Sequence, residues 1–166
     1  MDLFLLRHGK AENFNPAGDA ARVLVEKGHH QAERAGRVLK RAGWLPDIVL
    51  VSPLVRTRQT ADAFCEAAGI PGAILQGWLA CGMSPERALS ELTAFAEFKR
   101  VALIGHEPDL SRLIGHLLGA SEGWVRMKKG SLACLQVNPP TPIGALEFLI
   151  PPRLTADIWN VDDSLD

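Results

Sequence analysis

Residues 3–9 read LFLLRHG, a short apolar run that ends abruptly at an arginine, a histidine and a glycine. Two later runs have the same form. IVLV at residues 48–51 is followed by Ser52-Pro53, and VALI at residues 101–104 is followed by Gly105-His106. Each run is continuously apolar, which is typical of strands buried on both faces of a parallel sheet. The three runs therefore predict the central strands of an α/β fold.

Helical patterns separate the predicted strands. Apolar and small residues recur at helical spacing, with glycine or proline close to the ends, in residues 28–42, 54–68, 84–96 and 108–119. Residues 132–137 and 145–150 then predict two strands, whose proline-rich connection indicates an antiparallel edge. The alternation of strands and helices predicts a three-layer α/β/α sandwich around a mostly parallel sheet.

Length and charge limit the classes of protein that the sequence can specify. The chain has 166 residues, and its 18 basic and 19 acidic residues leave a formal charge of −1. A broad nucleic-acid or membrane surface would need a basic excess. We expect one domain over residues 1–150, followed by an acidic C-terminal tail at 151–166 that carries four aspartates. The three cysteines form no CxxC pair, and no signal peptide or membrane span is predicted, so a cytoplasmic location is expected.

Basic side chains follow the predicted strands at the points where the strands end. Arg7 and His8 follow the first run, Arg56 follows the second and His106 the third. Because the carboxyl ends of parallel strands meet at one edge of a sheet, we expect these four side chains to form one pocket. Its cationic character suits a phosphoryl dianion, since the planar fork of arginine matches two phosphate oxygens at a time.

Taken singly, each of these residues has a structural explanation. A histidine after a strand is usually a satisfied structural residue, and Arg56 alone would be a solvated helix residue. Arg58 lies two positions further along the same helix and cannot share its face, so at most one of these two arginines enters the pocket. The case for a site rests on the four residues occurring together at predicted strand ends.

Three motifs in this order resemble the histidine phosphatase superfamily, which has the phosphoglycerate-mutase-like fold. They are RHG at residues 7–9, SPLVRTRQTA at residues 52–61 and GHEP at residues 105–108. The short chain and the spelling GHEPDL at residues 105–110 are most similar to the small SixA-type phosphohistidine phosphatases. The similarity extends from residue 2 to about residue 137.

The resemblance implies catalytic roles for the four pocket residues. His8 would be the nucleophile that transiently carries the phosphoryl group. Arg7 and Arg56 would clamp the phosphate, and His106 would be the second histidine that binds the transferred group. The nucleophilic imidazole needs one nitrogen free, so its other nitrogen should donate to an acceptor that the sequence does not identify. No metal or cofactor is expected.

Two further residues are candidates for substrate binding. Glu107 follows His106 and is the one carboxylate clearly placed among the basic residues. Arg22 resembles a further phosphate clamp, although it could equally pair with Asp19 or Glu26 and shape its loop. Both residues are predicted to contact substrate together with Arg7, Arg56 and His106.

One departure from the larger members of the superfamily bears on the substrate. They carry an acid between the second and third motifs, whereas residues 77–83 read GWLACGM here. A site without a strong general acid suits a leaving group that departs easily, such as the imidazole of phosphohistidine. We therefore expect a metal-independent phosphohistidine phosphatase whose partner is a phosphorylated protein. The alternatives are a phosphomonoesterase for a small phosphometabolite or phosphoserine, and a phosphoprotein-binding module without catalysis.

Overall fold

A computed structural model describes residues 1–121 and 123–157. Its sheet consists of β1 (Asp2–Arg7), β2 (Ile48–Val51), β3 (Ile74–Leu75), β4 (Arg100–Gly105), β5 (Leu132–Val137) and β6 (Gly144–Ile150). The strand order is β3-β2-β4-β1-β5-β6. The four strands from β3 to β1 pair in parallel, whereas β5 pairs antiparallel with both β1 and β6. The strand β1 is therefore central, with β4 on one side and β5 on the other.

The helices are α1 (Glu26–Arg41), α2 (Val55–Ala68), α3 (Pro85–Leu92), α4 (Asp109–Leu118) and α5 (Pro152–Asp157). Local signals set their ends. The Ser84 side chain accepts a hydrogen bond from the Arg87 amide and caps α3, whose first residue is Pro85. Gly69 and Gly119 adopt left-handed backbone conformations, which suit glycine, and stop α2 and α4.

Each face of the sheet is covered by helices. Leu3 and Leu5 of β1 face one side and pack in a cluster with residues of α3 and α4. Phe4 and Leu6 face the other side and pack with residues of α1 and α2. This alternation follows from the two-residue period of side chains along a strand. The predicted three-layer α/β/α sandwich is therefore confirmed.

Some details differ from the sequence prediction. The two-residue β3 is exposed and carries no pattern that reveals a strand. The first part of the predicted tail forms α5, which contacts α1 and buries Thr155. The rest of that tail, residues 158–166, lies outside the described residues. No helix in the part of the chain that the structure describes is long and apolar enough to cross a membrane.

Candidate active site

The main chain holds Arg7 and His8 in place from both neighbouring strands. The Arg7 amide donates to the Ser131 carbonyl and the His8 amide to the Gly105 carbonyl, each at 3.1 Å. The Gly130 amide donates to the carbonyls of both Arg7 and His8. These bonds follow from the central position of β1, which ends between two other strands. The backbone of the predicted nucleophile is therefore fixed by the sheet.

The imidazole of His8 is 6 % exposed, and its Nδ1 lies 2.8 Å from the carbonyl oxygen of Gly9. A carbonyl only accepts, so Nδ1 carries the proton and Nε2 keeps its lone pair. The pKa of His8 is lowered from 6.5 to about 3, chiefly by burial. The hydrogen bond to Gly9 opposes this shift, and electrostatic interactions with His106, Arg56 and Arg7 add to it. His8 is therefore neutral at physiological pH.

His106 is the second imidazole of the site. It is 2 % exposed, and its ring centroid lies 5.5 Å from that of His8. Its Nε2 is 2.7 Å from the hydroxyl of Ser52, whereas its Nδ1 is buried and has no hydrogen-bond partner among the described residues. Burial, followed by the charge of Arg56, lowers the pKa of His106 to about 4. The two imidazoles thus meet as neutral rings.

Arg56 enters the site from the first turn of α2. Its Nη1 donates to the main-chain carbonyl of Asp19 at 2.8 Å, and its Nη2 donates to the Asp19 carboxylate at 3.0 Å. The Sγ atom of Cys81 lies 3.7 Å from the same Nη2. Arg56 is 5 % exposed, whereas Arg58 is exposed. As the helical spacing predicts, only one of these two arginines faces the site.

Asp19 links two of the arginines singled out in the sequence. Its second carboxylate oxygen accepts from Nη1 of Arg22 at 2.7 Å, and Nε of Arg22 donates to the carbonyl of Glu12 at 2.7 Å. Arg22 thus pairs with Asp19, as the loop-shaping alternative predicts, and no bond to Glu26 forms. The hydrogen bond from Arg22, with further help from Arg56, lowers the pKa of Asp19. Its carboxylate is therefore ionised at neutral pH.

Arg7 and Glu107 form a second charged pair near His8, because Arg7 ends β1 and Glu107 lies two residues beyond the end of the adjacent β4. Nη1 of Arg7 donates to the Met127 carbonyl at 2.7 Å. Glu107 accepts a hydrogen bond of 2.5 Å from the Ser111 hydroxyl, which itself accepts from the Met127 amide. Nε of Arg7 and Oε2 of Glu107 are buried without a partner among the described residues. Burial lowers the pKa of Arg7, and the nearby charge of Glu107 opposes the shift.

Several residues near the site were missed in the sequence. Ser52 begins the second motif and Asp19 was considered only as a partner of Arg22, but their contacts with His106 and Arg56 join distant parts of the chain. Lys129 precedes Gly130 and Ser131, whose main-chain groups hold Arg7 and His8. Its pKa is lowered by burial and then by the charges of Arg7, Arg22, Lys10 and Arg56, which indicates a shared cationic environment.

The arrangement combines a neutral, nucleophilic imidazole with at least two buried or half-buried guanidinium groups. Such a set can bind a phosphoryl dianion and accept its phosphorus at nitrogen. Across residues 1–121 and 123–157, no group of three or more histidine, cysteine, aspartate or glutamate side chains is arranged to hold a metal ion. Together with the fold, these features define a hydrolase of the phosphatase class.

Sequence comparison agrees with this class. The profile of the histidine phosphatase superfamily (branch 1) matches residues 3–79. A protein of Picosynechococcus sp., itself uncharacterised, is 31% identical over 118 residues, which are 66% of this chain and 68% of that protein. The chain belongs to the histidine phosphatase superfamily.

Solved structures extend the match to nearly the whole chain. The protein histidine phosphatase SixA in complex with tungstate has a TM-score of 0.83 at 23% identity, covering 93% of this chain and 99% of that one. A protein from Agrobacterium tumefaciens assigned as phosphohistidine phosphatase SixA has a TM-score of 0.77 at 26% identity, with coverages of 91% and 97%. These structures support the SixA-type resemblance.

The same fold also occurs in phosphatases for small esters. A phosphoserine phosphatase variant from Entamoeba histolytica, in complex with phosphoserine, has a TM-score of 0.68 at 15% identity. The match covers 92% of this chain and 98% of that one. The fold is therefore shared by enzymes that act on different phosphorylated compounds.

Proposed function

We propose that this protein is a metal-independent phosphohistidine phosphatase that acts on a phosphorylated protein through a covalent intermediate on His8. Residues 1–150 form its catalytic domain. The observation that carries the proposal is the hydrogen bond between Nδ1 of His8 and the Gly9 carbonyl. It leaves Nε2 as the free nucleophile, and the lowered pKa of His8 keeps that nitrogen unprotonated.

In the first step, Nε2 of His8 attacks phosphorus, and the bond between phosphorus and the substrate imidazole breaks. The departing imidazole carries its proton on its other nitrogen, so it leaves as a neutral ring without a proton from the enzyme. Arg7 and Arg56 bind the equatorial oxygens, where charge collects in a loose transition state. His106 contacts the transferred group through its unpartnered Nδ1.

The second step returns His8 to its starting state. Phosphorylated His8 keeps its Nδ1 proton and bears a positive charge on the ring. Water attacks phosphorus, the bond to Nε2 breaks, and dihydrogen phosphate forms as neutral His8 is released. Neither step requires a general acid for the leaving group, which agrees with the lack of an acidic residue in residues 77–83.

Rapid quenching with a ³²P-labelled phosphohistidine peptide tests the proposal. We expect an acid-labile phosphoenzyme that appears before free phosphate and is absent from His8→Asn. That variant should keep its fold by circular dichroism and still bind tungstate. A wild-type enzyme that binds the peptide but never becomes labelled would support the non-catalytic binding module instead. Labelling of His8→Asn would show that another residue is the nucleophile.

Hydrolysis of phosphoserine or a small phosphate ester is the second candidate. The shared fold with a phosphoserine phosphatase favours it, as does the position of Glu107, whose charge acts on Arg7. An alkoxide leaving group needs a proton donor, and Glu107 would have to supply it. We expect phosphohistidine to turn over faster than phosphoserine and Glu107→Gln to leave phosphohistidine turnover within about threefold. Faster phosphoserine hydrolysis that is lost in Glu107→Gln would favour this second function.

A further inference from the structure

A cavity of about 630 Å³ lies beside the active site, between α1 and α5. Its lining includes Glu26, Lys27, His30, Gln31 and Arg34 of α1 and Arg153 of α5. Helical geometry explains why α1 contributes so many of these side chains, because positions 27, 30, 31 and 34 fall on one face. The neighbouring face is buried and packs against the rest of the domain.

The inner wall of this cavity touches the segments that hold the nucleophile. The side-chain oxygen of Gln31 accepts a hydrogen bond of 2.9 Å from the amide of Lys10. Gln31 also packs against Gly130, because a Cβ added to Gly130 would lie 2.7 Å from the Cβ of Gln31. The Gly130 amide in turn bonds the carbonyls of Arg7 and His8. The Gln31 side chain therefore connects the cavity with the two segments that flank the phosphoryl site.

Positive charge continues from one site to the other. Lys27 and Arg153 are exposed and Arg34 is half-buried, and none of them forms an ion pair with a carboxylate whose side chain the structure describes. Lys10 and Lys129 lie at the junction with the active site, where their charges act on each other. We call these five residues, Lys10, Lys27, Arg34, Lys129 and Arg153, the basic surface. Among the described residues, Glu26 is the one acidic residue that lines the cavity.

We propose that the basic surface binds acidic side chains that flank the phosphorylated residue of a protein substrate. The inference rests on the proposed function, because it takes a phosphoprotein as the substrate. Lys10 follows His8 by two residues, a span of about 7 Å at most, so a chain phosphorylated at the active site must pass close to it. Charge complementarity at this position would speed association and select among partners.

Other polyanions fit the basic surface less well. Single-stranded nucleic acid is usually bound through several aromatic side chains on which the bases stack, and His30 is the one aromatic side chain among the described residues of the cavity lining. The formal charge of −1 for the whole chain also opposes extended contact with a phosphate backbone. A short acidic segment needs only the local charge that the cavity and its junction provide.

Synthetic peptides test the proposal directly. Four peptides of equal length combine phosphohistidine or phosphoserine with either Asp and Glu or Asn and Gln at the flanking positions. We expect wild-type kcat/KM to be about tenfold higher for the acidic flanks at low salt, and the difference to shrink in 0.5 M NaCl. Phosphoimidazole, which has no flanks, reports the basal activity.

Charge reversal identifies the residues responsible. Combined Lys27→Glu, Arg34→Glu and Arg153→Glu should abolish the preference for acidic flanks and leave phosphoimidazole turnover unchanged. The control combines Lys40→Glu, Arg87→Glu and Lys99→Glu, which reverse three exposed charges outside the cavity. It should retain the preference. Circular dichroism and urea unfolding confirm that both variants fold.

The outcomes separate this inference from the proposed function. Turnover of both phosphohistidine peptides at equal rates would overturn the basic surface alone, as would a preference that survives its charge reversal. A preference for acidic flanks that is seen only with the phosphoserine peptides would support the role of the basic surface and overturn phosphohistidine as the proposed substrate. A preference that appears only after Asp162, Asp163 and Asp166 are replaced by Asn would assign the surface to the chain's own C-terminal residues and overturn the inference.

Discussion

Arg56 and Asp19, which are 37 positions apart in the chain, are joined by two hydrogen bonds. Nη1 of Arg56 reaches the main-chain carbonyl of Asp19, and Nη2 reaches its carboxylate. The guanidinium is buried, whereas 62% of the Asp19 side chain is exposed. Solvent therefore weakens the electrostatic attraction, and the main contribution of the pair is geometric. Two acceptors on one residue fix the plane of the Arg56 guanidinium and leave its remaining N–H groups for an anion.

Asp19→Ala should therefore lower kcat/KM for a phosphohistidine peptide about tenfold and weaken tungstate binding to a similar degree, because Arg56 loses part of its orientation. Asp19→Asn retains an acceptor and should recover most of the loss. Isothermal titration with tungstate and steady-state kinetics measure both effects. Equal losses in the two variants would show that charge, not orientation, is the contribution of Asp19.

Arg56→Lys should reduce kcat/KM by at least about a hundredfold, since an ammonium cannot bind two oxygens and Asp19 in one plane. Arg58→Lys is the matched control, two positions away on the same helix and exposed. It should behave as wild type. The measurement is the initial rate of phosphate release from a phosphohistidine peptide. Similar rates in Arg56→Lys and wild type would exclude a clamping role for Arg56.

Ser52→Ala should lower kcat/KM about tenfold, because Nε2 of His106 loses its hydrogen-bond partner and the ring loses its fixed orientation. Ser131→Ala provides the comparison. Ser131 is also buried, but it supports Arg7 through its main-chain carbonyl, which the substitution retains. The ¹⁵N chemical shifts of His106 should change in Ser52→Ala and stay constant in Ser131→Ala. An unchanged tautomer with reduced activity would contradict a positioning role for Ser52.

The two lowered histidine pKa values make stability depend on pH. The folded protein favours the neutral form of each ring, so below pH 6.5 it binds fewer protons than the unfolded chain. The stabilisation is complete above pH 6.5 and is lost as the pH falls towards about 4 for His106 and about 3 for His8. We expect the free energy of unfolding to fall by ~2 kcal/mol per histidine between pH 7 and pH 5.

Urea unfolding at pH 7 and pH 5 measures this loss. In His8→Asn the free energy of unfolding should fall less between pH 7 and pH 5 than in the wild type. The difference should equal the contribution of one histidine. Direct titration by NMR should show the His8 ring still neutral at pH 5. A His8 resonance that titrates near pH 6.5 would contradict the burial described for this ring.

The fold and the grouping of basic residues were predictable from local sequence. Continuous apolar runs identify buried parallel strands, and the ends of such strands share one edge, so the geometry of a sheet brings Arg7, His8 and His106 together. The contacts around these residues were harder to predict from the sequence. Asp19 reaches Arg56 because its loop folds back over α2, and no local pattern encodes that distant contact.

Surface features were harder still to predict. Trp124 is 80% exposed, although large apolar side chains usually pack in the core. The basic surface combines two helices and two loops that are far apart in the chain, and one of the helices, α5, lies in a segment predicted to be a tail. Each part looks like ordinary solvated charge in the sequence. Only the packing of α5 against α1 shows that the charges are adjacent.

The hydrogen bond from His8 to Gly9 also fixes the regiochemistry of any phosphoryl group that His8 carries. With Nδ1 bonded to the carbonyl, only Nε2 is open to phosphorus, so the enzyme-bound group would be the τ isomer of phosphohistidine. The substrate residue is not subject to that constraint and could present either isomer. An isomer-selective antibody would therefore recognise the phosphorylated enzyme as one species, whichever isomer it had consumed.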